Sequence, residues 1–411
     1  MKIAHIAPPW IAIPPKNYGG TEIVIYNLIE EQVAQGHDVT LFAPADAKTS
    51  ARLVSFFDNS LISEGVPWSA HLRPYYHMYK SIDYIKEHDF DIVHTHLSSS
   101  SDLYIFPLTA HLATPHVTTL HSRFPFDRVQ SWTGTADVYY MEWASNVPMV
   151  AISESARAEV PYPLNFVGVV HHGLPMQQFV SSKRGVSDYF VWLGRFVADK
   201  GTHHAIDVAK QAGVKLVLAG TIDRHQPESV NYFHQMIKPH IDNDQIKYVG
   251  SANMKEKIRL LSRARGFLNP IEWEEPFGMV MIEAMALGCP VISFARGAAP
   301  EIVVHRKTGF LVHDAEEMLR FLSRVDEIDR RVTRQHVERN FSVCVMAEKY
   351  LKIYKRVIAT AKGIMARTFP VITANKTVST PSTTNIKTIL PVQVGQIGQP
   401  VQAKLEAEQK S

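Results

Sequence analysis

Short apolar runs alternate with longer stretches of helical period along most of the chain, and the runs have the length of buried strands. In the first part of the chain we predict strands at Lys2–Ala7, Val39–Ala43, Asp91–Thr95, His116–Leu120, Pro148–Ile152 and Phe166–Val170. A helix over Thr21–Gln35 follows the first strand, because apolar residues recur there at helical spacing and Gly36 ends it. This alternation indicates a parallel sheet with crossover helices.

The same pattern begins again after the polar stretch Ser181–Ser187. We predict strands at Tyr189–Leu193, Lys215–Ala219, Gln245–Val249, Gly266–Leu268, Pro290–Phe294 and Gly309–Val312, with helices at Thr202–Gln211, Lys255–Ala264 and Met279–Ala286. The sequence therefore predicts an α/β protein with two doubly wound domains. Ligands of such sheets bind beyond the carboxyl ends of the strands, so we expect the chemistry in the loops there.

The chain of 411 residues is too long for one ordinary core, which also favours two domains. We place the first domain at 1–175 and the second at 176–345. Segment 346–362 is predicted to be a final helix, part of Ala347–Ala361, that packs back on the first domain. Segment 363–411 is rich in Thr, Ser, Gln, Pro and Val, and we expect it to be a disordered tail.

Composition narrows the class of protein. The 43 Lys and Arg against 40 Asp and Glu leave a net charge of +3, which argues against an extended nucleic-acid surface. The two cysteines, Cys289 and Cys344, cannot build a disulfide framework. The N-terminus does not resemble a signal peptide, and no apolar run reaches the ~20 residues of a membrane span. We expect a cytoplasmic protein, with peripheral contact to the inner membrane face left open.

Two glycines follow the first strand. Gly19 and Gly20 precede the helix that begins near Thr21. Glycines let backbone N–H groups approach an anion, and a helix N-terminus adds partial positive charge. A tight turn with Thr21 as the helix cap explains the same residues. The dinucleotide fingerprint GxGxxG is absent here, which weakens an oxidoreductase interpretation.

A second loop follows the first strand of the second domain, over Gly194–Gly201. Arg195 and Lys200 in it could neutralise a diphosphate, the Arg as a fork and the Lys as a point charge. They would also stabilise charge on a departing nucleotide diphosphate. Two solvated surface cations are the alternative.

The strongest string runs from Glu274 to Ile292 and contains Glu275 and Glu283. Glu275 is predicted in a loop and Glu283 in the apolar helix that follows it. A carboxylate on such a helix needs partners, and sugar hydroxyls could provide them. The alternatives are a helix-dipole charge for Glu275 and an internal salt bridge for Glu283.

Taken together, these strings resemble family 4 of the retaining glycosyltransferases. The string E-P-F-G-x4-E-A-M-A resembles the E-x7-E motif of that family, and the G-R-x4-K-G and early Gly-Gly-Thr-Glu loops are similar to it as well. The resemblance covers about residues 1–360. It implies the GT-B fold, in which two Rossmann-like domains face each other across a cleft. It departs from the family at His172, where Asn is usual before Gly173.

The resemblance also implies roles for single residues. Arg195 and Lys200 would hold the donor diphosphate, and Glu283 would bind the ribose hydroxyls. Glu275, Phe277 and Gly278 would face the donor sugar, while Gly19 and Gly20 would close over the phosphates or position the acceptor. His121, which follows a strand, matches a histidine near the transferred sugar, although an ordinary loop histidine is the alternative. The expected catalytic residues are His121, Glu275, Arg195 and Lys200.

The expected function is transfer of a hexosyl group from a UDP- or GDP-sugar to a glycan, lipid-linked or small-molecule acceptor. No metal or other cofactor is expected, because Arg195 and Lys200 can carry the diphosphate charge and the pairs His94/His96 and His203/His204 lack a third ligand at zinc-type spacing. Sugar-nucleotide epimerase, glycosyl phosphorylase and a non-catalytic binding protein remain alternatives. No nucleic-acid partner is expected.

Acceptor choice is assigned to loops of the first domain, including His71–Tyr79 and Phe124–Trp132, whose aromatic rings could stack on a sugar or pack a loop. The basic stretch Arg320–Arg334 fits either a solvated helix face or a contact with anionic lipid.

Overall fold

The structure is a computed structural model that describes residues 1–16, 19–122, 143–158, 160, 164–180, 185–223 and 226–368. Met1–Met365 form one compact unit that contains two parallel sheets. The predicted loop Phe124–Trp132 and most of the predicted tail lie outside the described residues.

The first sheet has seven strands in the order β3-β2-β1-β4-β5-β6-β7, and all neighbouring pairs are parallel. Its strands are β1 (Lys2–Ile6), β2 (Asp38–Phe42), β3 (Arg52–Val54), β4 (Ile92–Leu97), β5 (His116–Leu120), β6 (Met149–Ala151) and β7 (Phe166–Val169). Buried apolar residues cover both faces, as expected for a parallel sheet between helices.

The second sheet has six parallel strands in the order β10-β9-β8-β11-β12-β13. They are β8 (Tyr189–Arg195), β9 (Lys215–Thr221), β10 (Ile246–Tyr248), β11 (Phe267–Asn269), β12 (Val291–Phe294) and β13 (Gly309–Val312). In each sheet the strand order reverses once, between β1 and β4 and between β8 and β11. A ligand crevice forms at such a point, beyond the carboxyl ends of the strands.

The α-helices lie between these strands and after them. Those described are Gly20–Ala34, Leu72–Lys86, Ile105–Thr109, Glu154–Ala158, Thr202–Ala212, Pro227–Tyr232, Met254–Arg263, Met279–Ala286, Ala299–Ile302, Ala315–Leu322, Arg330–Asn340 and Val343–Thr368. Within the described ranges, no helix is both long and apolar enough to cross a membrane.

Two predictions for loops and helices are wrong. The segment predicted as the loop His71–Tyr79 is the first half of helix Leu72–Lys86, because His77, Met78 and other residues at helical spacing are buried while the tyrosines face outward. The basic stretch Arg320–Arg334 is not one helix, since the helix Ala315–Leu322 ends and a new one begins at Arg330.

After the last strand of the second sheet, the chain crosses back and its final helix packs on the first sheet. The last strand of the first sheet ends at Val169 and the next strand begins at Tyr189, so the predicted boundary at 175/176 lies between the sheets. The final helix runs over Val343–Thr368, longer than the predicted segment 346–362, and Val343 at its start is buried. Its buried residues pack on the first sheet against Ile3, Ile92 and Val117.

Candidate active site

The loop after β8 holds both predicted cations in a tight turn. Arg195 is the last residue of β8, the Val197 amide donates to its carbonyl at 2.9 Å, and the Lys200 amide donates to Val197 at 3.1 Å. Gly201 ends the turn with φ of 62°, and a Cβ there would lie 1.8 Å from the Pro270 carbonyl oxygen. Only glycine fits, so the turn is fixed against the end of β11.

The Lys200 ammonium forms an ion pair with the Glu275 carboxylate, which comes from the loop after β11. Both side chains are about four-fifths buried, at 18% and 19% exposure, and the ammonium lies 5.4 Å from the centre of the Trp273 ring. The structure thus brings together two of the predicted residues from separate motifs.

Arg195 is partly buried, and no carboxylate of the described residues lies within ion-pair distance of its guanidinium. A cation beside Lys200 without an anionic partner leaves this turn with positive charge to offer to an anion.

Backbone contacts fix the loop that carries Glu275. The Ala298 amide donates to the Glu275 carbonyl at 3.0 Å, and the Gly297 amide donates to the Glu274 carboxylate. Gly278 has a φ of 99° and caps helix Met279–Ala286, where a Cβ would lie 2.4 Å from Met281 Cε. Phe277 is buried beside it. The predicted loop–helix arrangement is therefore present.

Glu283 lies on that helix with its carboxylate buried, at 6% exposure. Both of its oxygens accept hydrogen bonds of 2.7 Å from the Lys257 ammonium. The internal salt bridge that the sequence left open is thus present, and its partner was missed. Lys257 lies on another helix and in no motif, so the sequence carried no signal for it.

On the first-sheet side, helix Gly20–Ala34 begins at one of the predicted glycines, and no side chain caps it. Gly19 packs tightly, since a Cβ there would lie 2.7 Å from Pro15 Cβ and 2.8 Å from Glu22 Oε2. Burial raises the pKa of Glu22 to about 7 and that of Asp102 to about 6. These acids are thus held in a poorly solvated region behind the glycine loop.

His121 follows β5, as predicted, and its amide donates to the Leu97 carbonyl at 3.0 Å. Its Nε2 is hydrogen-bonded to His96 Nδ1 at 3.0 Å, while its buried Nδ1 has no partner in the described part of the chain. Burial lowers the pKa of His121 to about 3, so the ring is neutral. His121 stacks on His172 at 5.2 Å, and His172 contacts Phe277 at 4.9 Å. This series of ring contacts connects the two sheets.

Two polar contacts also join the sheets. The Ser153 hydroxyl, just after β6, donates to the Pro276 carbonyl at 2.6 Å. The Glu301 carboxylate accepts bonds of 2.8 Å from the amides of Glu154 and Ser155 and lies 2.8 Å from His171 Nε2. The amides and the imidazole lower the pKa of Glu301 against the effect of its burial. Glu301 thus contacts residues that follow the first sheet's strands β6 and β7.

Two histidine pairs gain a third neighbour that sequence spacing did not reveal. His5 lies beside His94 and His96, and Glu272 lies beside His203 and His204, each group with ligand atoms within 4.8 Å of one another. In the first group every ring nitrogen has a hydrogen-bond partner. A metal there would have to displace those bonds.

Family models cover both halves of the chain. The model "Glycosyltransferase Family 4" matches residues 18–178, and "Glycosyl transferases group 1" matches residues 176–330. The two matches meet between the sheets and contain all the residues predicted for the site.

Similar proteins agree with the family models. Spore coat protein SA of Bacillus subtilis is 23% identical over 87% of this chain and 100% of its own length. Alpha-maltose-1-phosphate synthase of Mycolicibacterium smegmatis is 28% identical over 61% of this chain and 77% of its own length.

Solved structures share the fold. Sucrose-phosphate synthase from Thermosynechococcus elongatus matches with a TM-score of 0.69 at 19% identity, covering 87% of this chain and 99% of that one. The Anabaena protein Alr3699/HepE matches with a TM-score of 0.63 at 18% identity, covering 87% and 100%. With two parallel sheets, adjacent family matches and these neighbours, the chain belongs to the GT-B glycosyltransferases of group 1 and family 4.

Proposed function

We propose that this glycosyltransferase is a metal-independent, retaining enzyme that moves a hexosyl group from a nucleotide-diphosphate sugar to a glycan, lipid-linked or small-molecule acceptor. The observation that carries the proposal is the turn after β8. There Arg195, which has no anionic partner among the residues that the structure describes, lies close in the chain to Lys200, which is paired with Glu275. A diphosphate is an anion that such a pair of cations can bind.

Neighbours of this fold support a nucleotide-sugar donor. Alr3699/HepE was solved with UDP and glucose and with UDP-glucose, and the starch synthase IV catalytic domain from Arabidopsis thaliana with ADP and acarbose. A diphosphate at Arg195 and Lys200 would compete for Lys200 and release Glu275. The freed carboxylate could then accept hydrogen bonds from sugar hydroxyls.

The other site residues would complete the donor pocket. Glu283, positioned by Lys257, would accept bonds from the ribose, and the backbone at Phe277 and Gly278 would face the sugar. Gly19 and Gly20 would approach the phosphates from the first sheet. His121 would face the sugar from the same side.

The reaction would proceed on one face of the sugar. The bond between the anomeric carbon and the phosphate oxygen breaks, the acceptor oxygen bonds to that carbon from the same side, and the acceptor's proton passes to the departing phosphate. Arg195 and Lys200 stabilise the charge that develops on the diphosphate.

A donor screen tests the proposal. Purified protein is mixed with UDP-, GDP- and ADP-sugars in EDTA, and melting temperature and nucleotide release are measured with and without candidate acceptors. We expect one donor to raise the melting temperature in EDTA. A new sugar nucleotide formed without acceptor would indicate an epimerase. No shift and no release with any donor would remove the roles given to Arg195 and Lys200.

A further inference from the structure

Three imidazoles form a hydrogen-bonded chain on the first-sheet side of the site. Their strands, β1, β4 and β5, are neighbours in the sheet, and His5 is in register with His94. His121 Nε2 bonds His96 Nδ1 at 3.0 Å, His96 Nε2 bonds His5 Nδ1 at 3.0 Å, and His5 Nε2 bonds Gln32 Oε1 at 2.8 Å. Gln32, at the end of the chain of hydrogen bonds, lies on helix Gly20–Ala34.

All three rings are neutral, and this makes the chain directional. Burial lowers the pKa of His5 to about 4 and that of His121 to about 3, and that of His96 lies well below its usual value. A neutral imidazole has one N–H donor and one acceptor nitrogen. Once one end of the chain is fixed, every tautomer along it is fixed.

Gln32 fixes that end. Its carbonyl oxygen accepts from His5 Nε2–H, so His5 Nδ1 accepts from His96 Nε2–H, and His96 Nδ1 accepts from His121 Nε2–H. The remaining nitrogen, His121 Nδ1, is then an unprotonated acceptor, and it is the one ring nitrogen of these three histidines without a partner in the described structure.

The final helix holds the glutamine in this orientation. The Gln32 amide donates to the Tyr354 hydroxyl at 3.3 Å, and that hydroxyl lies 2.6 Å from His94 Nδ1. Because this hydroxyl accepts from Gln32, its own proton is left to be donated to His94 Nδ1. His94 Nε2–H then donates to Thr119 Oγ1 at 2.7 Å.

We propose that His96, His5 and Gln32 are positioning residues that hold His121 as its Nε2–H tautomer and so present Nδ1 as a hydrogen-bond acceptor for a substrate hydroxyl. The opposite polarity would present an N–H donor, which a hydroxyl could meet only through its oxygen. That the hydrogen-bond donor to His121 Nδ1 is a sugar or acceptor hydroxyl rests on the proposed function, whereas the assignment of the tautomers does not.

The test is histidine-selective ¹³C/¹⁵N NMR of the full chain, in which the two neutral tautomers have distinct ring shifts. We expect His121, His96 and His5 to be Nε2–H, with His121 assigned from the His121→Gln variant. In Gln32→Met, a near-isosteric change without an acceptor, we expect signals of both tautomers, because His5 Nε2–H is unpaired in one polarity and His121 Nδ1–H is unpaired in the other. The control is His77→Gln, a buried neutral histidine outside the chain whose Nε2 bonds the Ala7 carbonyl. It should leave the His121 signals unchanged.

Kinetics with UDP-glucose provide the second readout. In Gln32→Met, loss of the Nε2–H tautomer from part of the His121 population should lower kcat severalfold with KM within about twofold, whereas His77→Gln should change neither. Nδ1–H signals for His121 in the wild type, or unchanged signals in Gln32→Met, would overturn the proposal even if that variant is less stable. Wild-type Nε2–H signals without any turnover of sugar nucleotides would leave the relay intact and count against the proposed function instead.

Discussion

The two sides of the site differ in charge, because one is lined by ion pairs and the other by neutral histidines. On the second-sheet side, charged groups meet in pairs, Lys200 with Glu275 and Lys257 with Glu283. On the first-sheet side, buried neutral imidazoles meet in a hydrogen-bonded chain. The charged side can exchange one ionic partner for another, which suits the binding and release of an anion. The neutral side is fixed in direction, which suits the orientation of hydroxyl groups.

The largest effect that we expect is a loss of folding stability on acidification, which acts through the neutral histidines of the first-sheet side. Among the histidines of the described ranges, burial lowers the pKa of His5, His77, His94, His96, His121 and His172. Below pH 6.5 the unfolded chain therefore binds more protons, and stability falls as the pH falls toward 5. His5, His77 and His121, whose pKa values are lowered to about 4, 4 and 3, should each remove roughly 1–2 kcal/mol of stability at pH 5. Urea unfolding from pH 7 to pH 5 measures the slope.

Two carboxyl groups oppose this slope. The raised pKa values of Glu22, about 7, and Asp102, about 6, mean that the folded protein binds the extra proton there, so stability falls as the pH rises through this range. Glu22→Gln removes one opposing group and should make the loss of stability on acidification steeper. Equal stability at pH 7 and pH 5 in both proteins would show that the histidines are not held neutral.

Arg195→Ala tests the charged side. We expect turnover to fall about a hundredfold to a thousandfold, because a donor aimed at developing negative charge is lost. The folded protein should keep its stability, since the guanidinium has no ion-pair partner within the described ranges. Arg331→Ala, which removes an arginine side chain that is 81% exposed, is the matched control. Near-normal turnover in Arg195→Ala would contradict the diphosphate assignment.

Lys257→Met should destabilise the protein by roughly 1–3 kcal/mol, because it leaves the buried Glu283 carboxylate without its cation. The expected cost is below that of a fully buried pair, since Lys257 is 24% exposed. Adding Glu283→Gln should recover most of the loss in urea unfolding. Lys215→Met removes the exposed pair with Asp188 and should leave the urea midpoint almost unchanged. Equal costs for the two lysines would remove the distinction between the pairs.

The smallest effect concerns a contact between the two sides. Ser153→Ala removes the hydroxyl that donates to Pro276 and accepts from the Ala156 amide, at 2.9 Å. We expect a loss of about 1 kcal/mol, measured as a lower urea midpoint. The exposed Ser323→Ala should leave the midpoint unchanged.

The same contrast explains what the sequence could predict. Arg195, Lys200, Glu275 and Glu283 lie in two compact motifs at strand–helix junctions, and the structure brings Lys200 and Glu275 together. Twelve strands follow from short apolar runs, but β3 (Arg52–Val54) was missed because it is only three residues long and not fully buried. The helix at 72–86 was taken for a loop because its exposed tyrosines obscured the buried stripe.

Contacts between distant segments could not be predicted in the same way. His5, His96 and His121 lie on three strands whose spatial order differs from their order in the chain. Their neighbour relations depend on sheet topology and register, and Gln32 and Tyr354 come from two further helices. No local spacing encodes such a cluster, and the same holds for Lys257 beside Glu283.

Because the final helix covers one face of the first sheet, that sheet can be completed only late in synthesis. Ile3, Val24 and Ile92 near the N-terminus have their apolar partners on Met346, Tyr350 and Tyr354. At about 5–20 residues per second, a ribosome needs about 10–40 s to proceed from Val170 to Val357. During that interval the first sheet exists with one apolar face uncovered and with His94 lacking the Tyr354 hydroxyl. Nascent chains stalled before residue 343 should therefore bind chaperones that recognise apolar surface, and release them once the helix has emerged.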